Sequence, residues 1–179
     1  MKKILLILGI LILLPLASAQ QVTVNVGDIS GAQGGTAKVP ITLAGAKDVG
    51  SMDIVLNYDT TILQAIYVEN GELSKNSFIE ANTANGGEVV IALATSSGIN
   101  GDGTVAIISF EVKGDVGSKS DLILEKVAVN DINLVEVTAT AKNGMLRVTE
   151  VAPKAGGSGT AILALAAIIV AIVLIRKRQ

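Results

Sequence analysis

Val49-Gly50-Ser51-Met52-Asp53-Ile54-Val55-Leu56-Asn57-Tyr58-Asp59 alternates with a period of two: Met52, Ile54, Leu56 and Tyr58 fall on one side, and Ser51, Asp53, Val55 and Asn57 on the other. A helix would return its apolar residues every three or four positions instead. The stretch therefore reads as a strand with one face in a core and one in water. Its apolar face requires a second sheet to cover it. Its polar face sets a serine and a carboxylate on a flat outer surface within reach of a partner.

Working outward, the same alternation recurs. Val22–Val26 opens the domain as a strand, Gly31–Gly35 turns the chain, and Ala37–Leu43 alternates again with Val39, Ile41 and Leu43 inward. Pro40 lies on the outward phase of that strand and cannot donate to a ladder, so the strand is expected to be an edge or to be paired on one side only there. Ile62–Val68 is apolar on both phases, as for a strand covered on both sides or crossing between sheets. Leu73–Asn85 is polar and weakly periodic, with Phe78 and Ile79 as its large apolar residues, and reads as a long loop or a short helix. Glu88–Thr95 is the next strand, Ser96–Gly103 a glycine-rich turn, and Thr104–Val112 a strand with Ala106, Ile108, Phe110 and Val112 inward. Ser120–Val129 and Glu136–Ala141 follow, and Asn143-Gly144 predicts a tight hairpin into Met145–Thr149. Eight or nine short strands with turn chemistry between them and no amphipathic helix predict an all-β sandwich over residues 20–150.

Both ends address the chain to a membrane. Lys2 and Lys3 precede an apolar run, and Ala17-Ser18-Ala19 offers a cleavage box, so residues 1–19 read as a secretory signal. Residues 151–159 form a Gly/Ser linker, and residues 160–175 are uncharged and apolar. From Gly156 such a segment reaches about 30 Å as a helix, enough to span a bilayer. The basic residues Arg176, Lys177 and Arg178 in the tail, 176–179, place that end in the cytoplasm and the domain outside a cell membrane crossed once.

Between these segments stand nine Lys/Arg and sixteen Asp/Glu, a net charge of −7 where the whole chain carries −2. That balance excludes a nucleic-acid partner, which needs a basic footprint. The chain has no Cys and no His, which removes disulfides, the usual catalytic triads and most transition-metal sites. Asp53 and Asp59 share a face but stand six residues apart, about 20 Å along a strand and too far for a glycosidase pair. Gly98-Ile99-Asn100-Gly101-Asp102-Gly103 imitates part of a calcium loop, but its first and twelfth positions would be Gly98 and Ser109, and it reads as a turn. Two Phe, two Tyr and no Trp leave little for a sugar platform, so carbohydrate is not expected as a direct ligand. No cofactor, metal or enzymatic activity is expected.

The succession Val39-Pro40-Ile41, Val49-Gly50-Ser51-Met52-Asp53 running to Leu56-Asn57-Tyr58-Asp59, Gly101-Asp102-Gly103 followed by Ala106–Val112, and the late Asp131-Ile132-Asn133-Leu134-Val135-Glu136 resembles a cohesin domain over about residues 21–149. The resemblance implies a nine-stranded jelly-roll β-sandwich, here followed by the single transmembrane helix. It also implies binding of dockerins, small calcium-loaded helical modules of polysaccharide-degrading enzymes, with the calcium on the partner. Carried over residue by residue, it implies a dockerin-facing sheet that includes Ser51, Asp53, Thr95, Ser96, Leu134 and Glu136. The sequence departs from the family where Asn is frequent at Ser51 and acidic residues at Thr95 and Ser96. An aromatic contact expected before the Glu88 strand has no evident equivalent. A structural or adhesive envelope protein, or a carbohydrate-binding module, is the alternative use of the same sandwich.

Overall fold

The computed structural model describes residues 20–152. The signal and membrane-span readings, and the linker beyond Ala152, lie outside these residues. The described chain forms nine strands: β1 (Gln21–Val26), β2 (Ile29–Gln33), β3 (Thr36–Asn57), β4 (Leu63–Asn70), β5 (Phe78–Asn82), β6 (Glu88–Val112), β7 (Lys119–Asp131), β8 (Thr138–Lys142) and β9 (Gly144–Val151).

The sandwich is built on two very long strands. β3 and β6 run antiparallel from Thr36↔Glu111 to Asn57↔Glu88, so each passes through both layers. Four separate strands are the sequence expectation here. Two bent ones replace them, because the connecting residues stay paired. At the bend Asp102 Oδ1 accepts the Gly45 amide at 2.7 Å and Asn100 Oδ1 accepts the Asp48 amide at 2.9 Å. Gly45, Gly98 and Gly101 supply the left-handed backbone that the bulges require, with φ of 76°, 71° and 91°. The segment expected to turn between strands is therefore a clamped corner within one strand. Its Asn and Asp oxygens are occupied by backbone amides.

One layer is β5–β6–β3–β7, using Glu88–Ala94 of β6 and Ser51–Asn57 of β3. The other is β4–β6–β3–β1–β8, using the opposite halves of the two long strands. Along one flank β9 pairs with the start of β7 and, in parallel, with β2. Inward phases meet as the alternation demands: Met52, Ile54, Leu56, Val39, Ile41, Leu43, Ile108, Phe110 and Val112 are all buried. Each such side chain removed from water contributes about 1.5–3 kcal/mol. Pro40 sits opposite Ile107 of β6 and just beyond the last β1 pair, Val26↔Ile41, so it is paired on one side only, as its missing N–H requires.

Three local readings are corrected. β4 is not covered on both sides: it pairs with β6 alone, and after an irregularity between Ala65 and Tyr67 it exposes Ile66 and Tyr67. Leu73–Asn85 is neither loop nor helix throughout, since a single 3-10 turn at Glu72–Ser74 is followed by the edge strand β5. Asn143-Gly144 is not a hairpin turn. β8 pairs with β1 while β9 pairs with β7 and β2, so this dipeptide carries the chain from one ladder to another. Asn143 Oδ1 accepts the Leu124 amide at 2.9 Å, and a Cβ at Gly144 would collide with the Val26 carbonyl.

Candidate partner-binding face

The outward phase of the β5–β6–β3–β7 layer forms cross-strand rows. Phe78, Ala94, Ser51 and Asn130 make one row, and an isolated bridge from Asn130 adds Glu136 to it. Glu80, Ala92, Asp53 and Ala128 make the next, and Asn82, Val90, Val55 and Lys126 the one after. Because directly opposed residues on neighbouring strands project to the same side, these side chains form one panel. Four strands at about 4.8 Å and seven residues at about 3.3 Å give it roughly 19 by 23 Å. That is wide enough for two helices of about 10–12 Å lying side by side.

Chemistry is distributed unevenly across the panel. Ala92 and Ala128 flank Asp53, leaving its carboxylate on a low floor where another backbone can come close. Glu80 and Glu136 add negative charge at the sides. Ser51 accepts a hydrogen bond from Asn130 Nδ2 at 3.3 Å, which ties the middle of the row together. Lys126 is the basic side chain of these rows. Of the ten exposed large hydrophobic side chains among the described residues, those of Phe78, Val90, Ile123, Ile132, Leu134 and Val135 lie on this panel or at its edge, a concentration that marks this face over the opposite one.

The six residues assigned by resemblance do not all converge. Ser51 and Asp53 are central on β3, and Glu136 joins the row of Ser51. Leu134 stands at the tip of the turn after β7, 81% exposed and with φ of 63°. Ser96 is exposed beyond the end of the panel. Thr95 follows Leu93 on the inward phase, is half-buried, and accepts the Ser97 amide on its hydroxyl at 3.2 Å. It does not project with Ser51 and Asp53.

Phe78 puts an exposed aromatic ring on the panel, on the strand before Glu88. It is 67% exposed at the start of β5, opposite Ala94. The alternation was present: Ile79 and Ala81 turn inward while Phe78, Glu80 and Asn82 turn outward. An outward phenylalanine inverts the usual polarity of a five-residue strand, and this hid it. Asn130 and Asp131 are not among the six residues assigned by resemblance, because their contacts depend on the turn that follows them.

Asp131 organises that turn. Its Oδ1 accepts the amides of Asn133 at 2.8 Å and Val135 at 2.9 Å. The Val135 amide, with further help from the backbone and side chain of Asn133, holds the Asp131 carboxyl below the usual carboxylate range against an opposing desolvation. Among the described residues no group of three or more acidic side chains is placed to hold a metal ion.

Fold and face together define an all-β sandwich with exposed apolar side chains and carboxylates gathered on one outer sheet surface. The chain belongs to the cohesin family: the family model described as Cohesin domain matches residues 22–148. Cellulosomal-scaffolding protein A of Acetivibrio thermocellus is 33% identical over 135 residues, covering 69% of this chain and 7% of that protein. This chain therefore spans a small part of that relative's length. The fold is similar to a non-cellulosomal cohesin from the hyperthermophilic archaeon Archaeoglobus fulgidus, with a TM-score of 0.66 at 28% identity, covering 73% of this chain and 92% of that one. It is also similar to CaCohA2 of Clostridium acetobutylicum, whose solution structure gives a TM-score of 0.64 at 25% identity, over 74% of this chain and 93% of that one. A crystal structure of a complex between CaDoc0917 and CaCohA2 gives 0.65 at 26% identity, over 72% of this chain and 99% of that one.

Proposed function

We propose that this cohesin domain binds a dockerin-bearing protein through the β5–β6–β3–β7 panel. The observation that carries the reading is the coincidence, on one flat face, of exposed apolar side chains with the carboxylates of Asp53, Glu80 and Glu136. Among the described residues the one ion pair, Lys38–Glu69 at 2.5 Å, lies on the other layer. The panel's carboxylates are thus available to lysines, arginines and hydroxyls of a helical partner. Phe78 and Leu134, near opposite sides of the panel, supply apolar anchors, and Ala92, Ala94 and Ala128 let a helix lie close between them. Calcium belongs to the partner and orders its loops.

On this reading the apolar run at 160–175 tethers the domain to the outer face of a membrane, and the protein displays secreted, dockerin-bearing enzymes of polysaccharide breakdown at the cell surface. One similar structure is a non-cellulosomal cohesin, so the reading commits to a dockerin partner and not to a cellulosome. Titration calorimetry of the full chain in detergent against a panel of purified, calcium-loaded dockerin modules tests it. Saturable binding that a calcium chelator abolishes is expected. Absence of binding across the panel overturns it.

A further inference from the structure

An exposed leucine with a left-handed backbone is doubly unfavourable. Its Cβ crowds the following carbonyl, and its side chain gains nothing from burial. Leu134 is in this position, with φ of 63° and 81% of its surface exposed. Glycine or asparagine would fill such a position with less strain. The surrounding turn nevertheless determines the conformation from several sides. Asp131 Oδ1 takes the amides on both sides of Leu134, those of Asn133 and Val135, at 2.8 and 2.9 Å. The Leu134 amide donates to the Asp131 carbonyl at 3.0 Å, and the Asp131 amide donates to the Val135 carbonyl at 2.9 Å. Beneath the turn, the Ile132 amide donates to the Asp48 carbonyl at 2.9 Å. Gly50 lets the turn settle onto β3, since a Cβ there would lie 2.7 Å from the Asp131 carbonyl oxygen and 2.8 Å from Ile132 Cα.

These bonds build a pedestal whose product is an apolar side chain held in water beside Glu136 and the Ser51 row. We infer that Asp131 is a positioning residue for partner binding: its carboxylate bridges the two amides that flank Leu134, fixes the left-handed turn, and so presents the Leu134 side chain to the partner as a rigid knob. The inference rests on the dockerin-binding reading of the panel, but the turn can be tested without it. A knob already held in its bound conformation loses less side-chain and loop freedom on docking, which is how a residue that touches nothing on the partner acts on affinity.

Two measurements on the full chain decide it. The first needs no partner: amide hydrogen exchange and the Leu134 backbone coupling constant, followed by NMR in detergent. Asp131→Ala is expected to speed exchange at Asn133 and Val135 by about tenfold or more and to shift Leu134 out of the left-handed region, with β3 and β6 amides unchanged. Asp131→Asn keeps an oxygen acceptor and is expected to restore both. Unchanged exchange and coupling in Asp131→Ala overturn the inference.

The second is a double-mutant cycle with a calcium-loaded dockerin module that binds the parent chain. Asp131→Ala and Leu134→Ala are each expected to weaken binding by roughly tenfold, and the double variant by no more than either alone, because the same contact is lost once. Additive losses, or no loss in Asp131→Ala, overturn the positioning role. If no module binds the parent chain, the dockerin reading and the partner-directed role fall together. A normal exchange response in that case leaves Asp131 as a holder of the turn alone.

Discussion

Tyr58 and Phe110 meet edge to face inside the sandwich, ring centroids 5.0 Å apart and planes inclined at 69°. The Tyr58 hydroxyl also accepts the Ala65 amide at 3.3 Å, so one ring joins the end of β3, the last residues of β6 and the edge strand β4. Phe110→Ala removes a fully buried ring and leaves a cavity, and is expected to lower stability by about 3–5 kcal/mol. Tyr58→Phe keeps the ring pair and loses one long hydrogen bond, and is expected to cost about 1 kcal/mol. Denaturant midpoints of the two variants check the ratio.

Ser109 lies on the outward phase of β6 opposite Lys38 and Tyr67, yet it is fully buried and its hydroxyl has no hydrogen-bond partner. A desolvated hydroxyl without a partner works against the folded state. Ser109→Ala is expected to raise stability by about 1 kcal/mol, read as a higher denaturant midpoint with an unchanged slope.

Asp59 terminates the deciding strand by accepting both the hydroxyl and the amide of Thr61 on Oδ1, at 2.7 and 2.8 Å. The hydroxyl bond first, and the amide bond second, hold its carboxyl below the usual range. Folding therefore favours the ionised form. Its contribution is complete above the unfolded-chain value of about 3.9 and is lost as pH falls through the lower folded-state value. Carboxyl-carbon NMR is expected to show Asp59 titrating below the unfolded-chain value, and Thr61→Ala to move it upward.

For the proposed interface, Asp53→Ala combined with Glu136→Ala is expected to weaken dockerin binding by about 2 kcal/mol while shifting stability by less than about 0.5 kcal/mol, since both carboxylates are exposed. Phe78→Ala is expected to behave the same way. Calorimetry paired with thermal denaturation separates the two effects. Parent-like affinity in the double variant would move the interface off this panel.

Much of this fold is legible in the sequence. Met52, Ile54, Leu56 and Tyr58 against Ser51, Asp53 and Asn57 is a pattern only a half-buried strand satisfies, and it recurs in Val39–Leu43 and Ala106–Val112. The site was legible in part. Ser51 and Asp53 follow from their own strand's phase, but Phe78 sits on an edge strand too short and too inverted to declare itself. Thr95 shows the converse: adjacent in sequence to the outward Ala94, it points the other way.

What the sequence determined by itself was the local alternation: which residue of each pair enters the core, and hence an all-β sandwich with an acidic exterior and no His or Cys chemistry. Tertiary structure alone decided that four expected strands are two, and that Asn143-Gly144 leads between ladders instead of closing a hairpin. It alone added Phe78 to the panel of Asp53 and Glu136, and raised Leu134 at its margin. The physical reason is range. Side-chain phase is set by neighbours two residues away, whereas strand partnership, and the turn that lifts Leu134 over Gly50, are set by bonds between distant residues, as between Ser51 and Asn130, 79 positions apart.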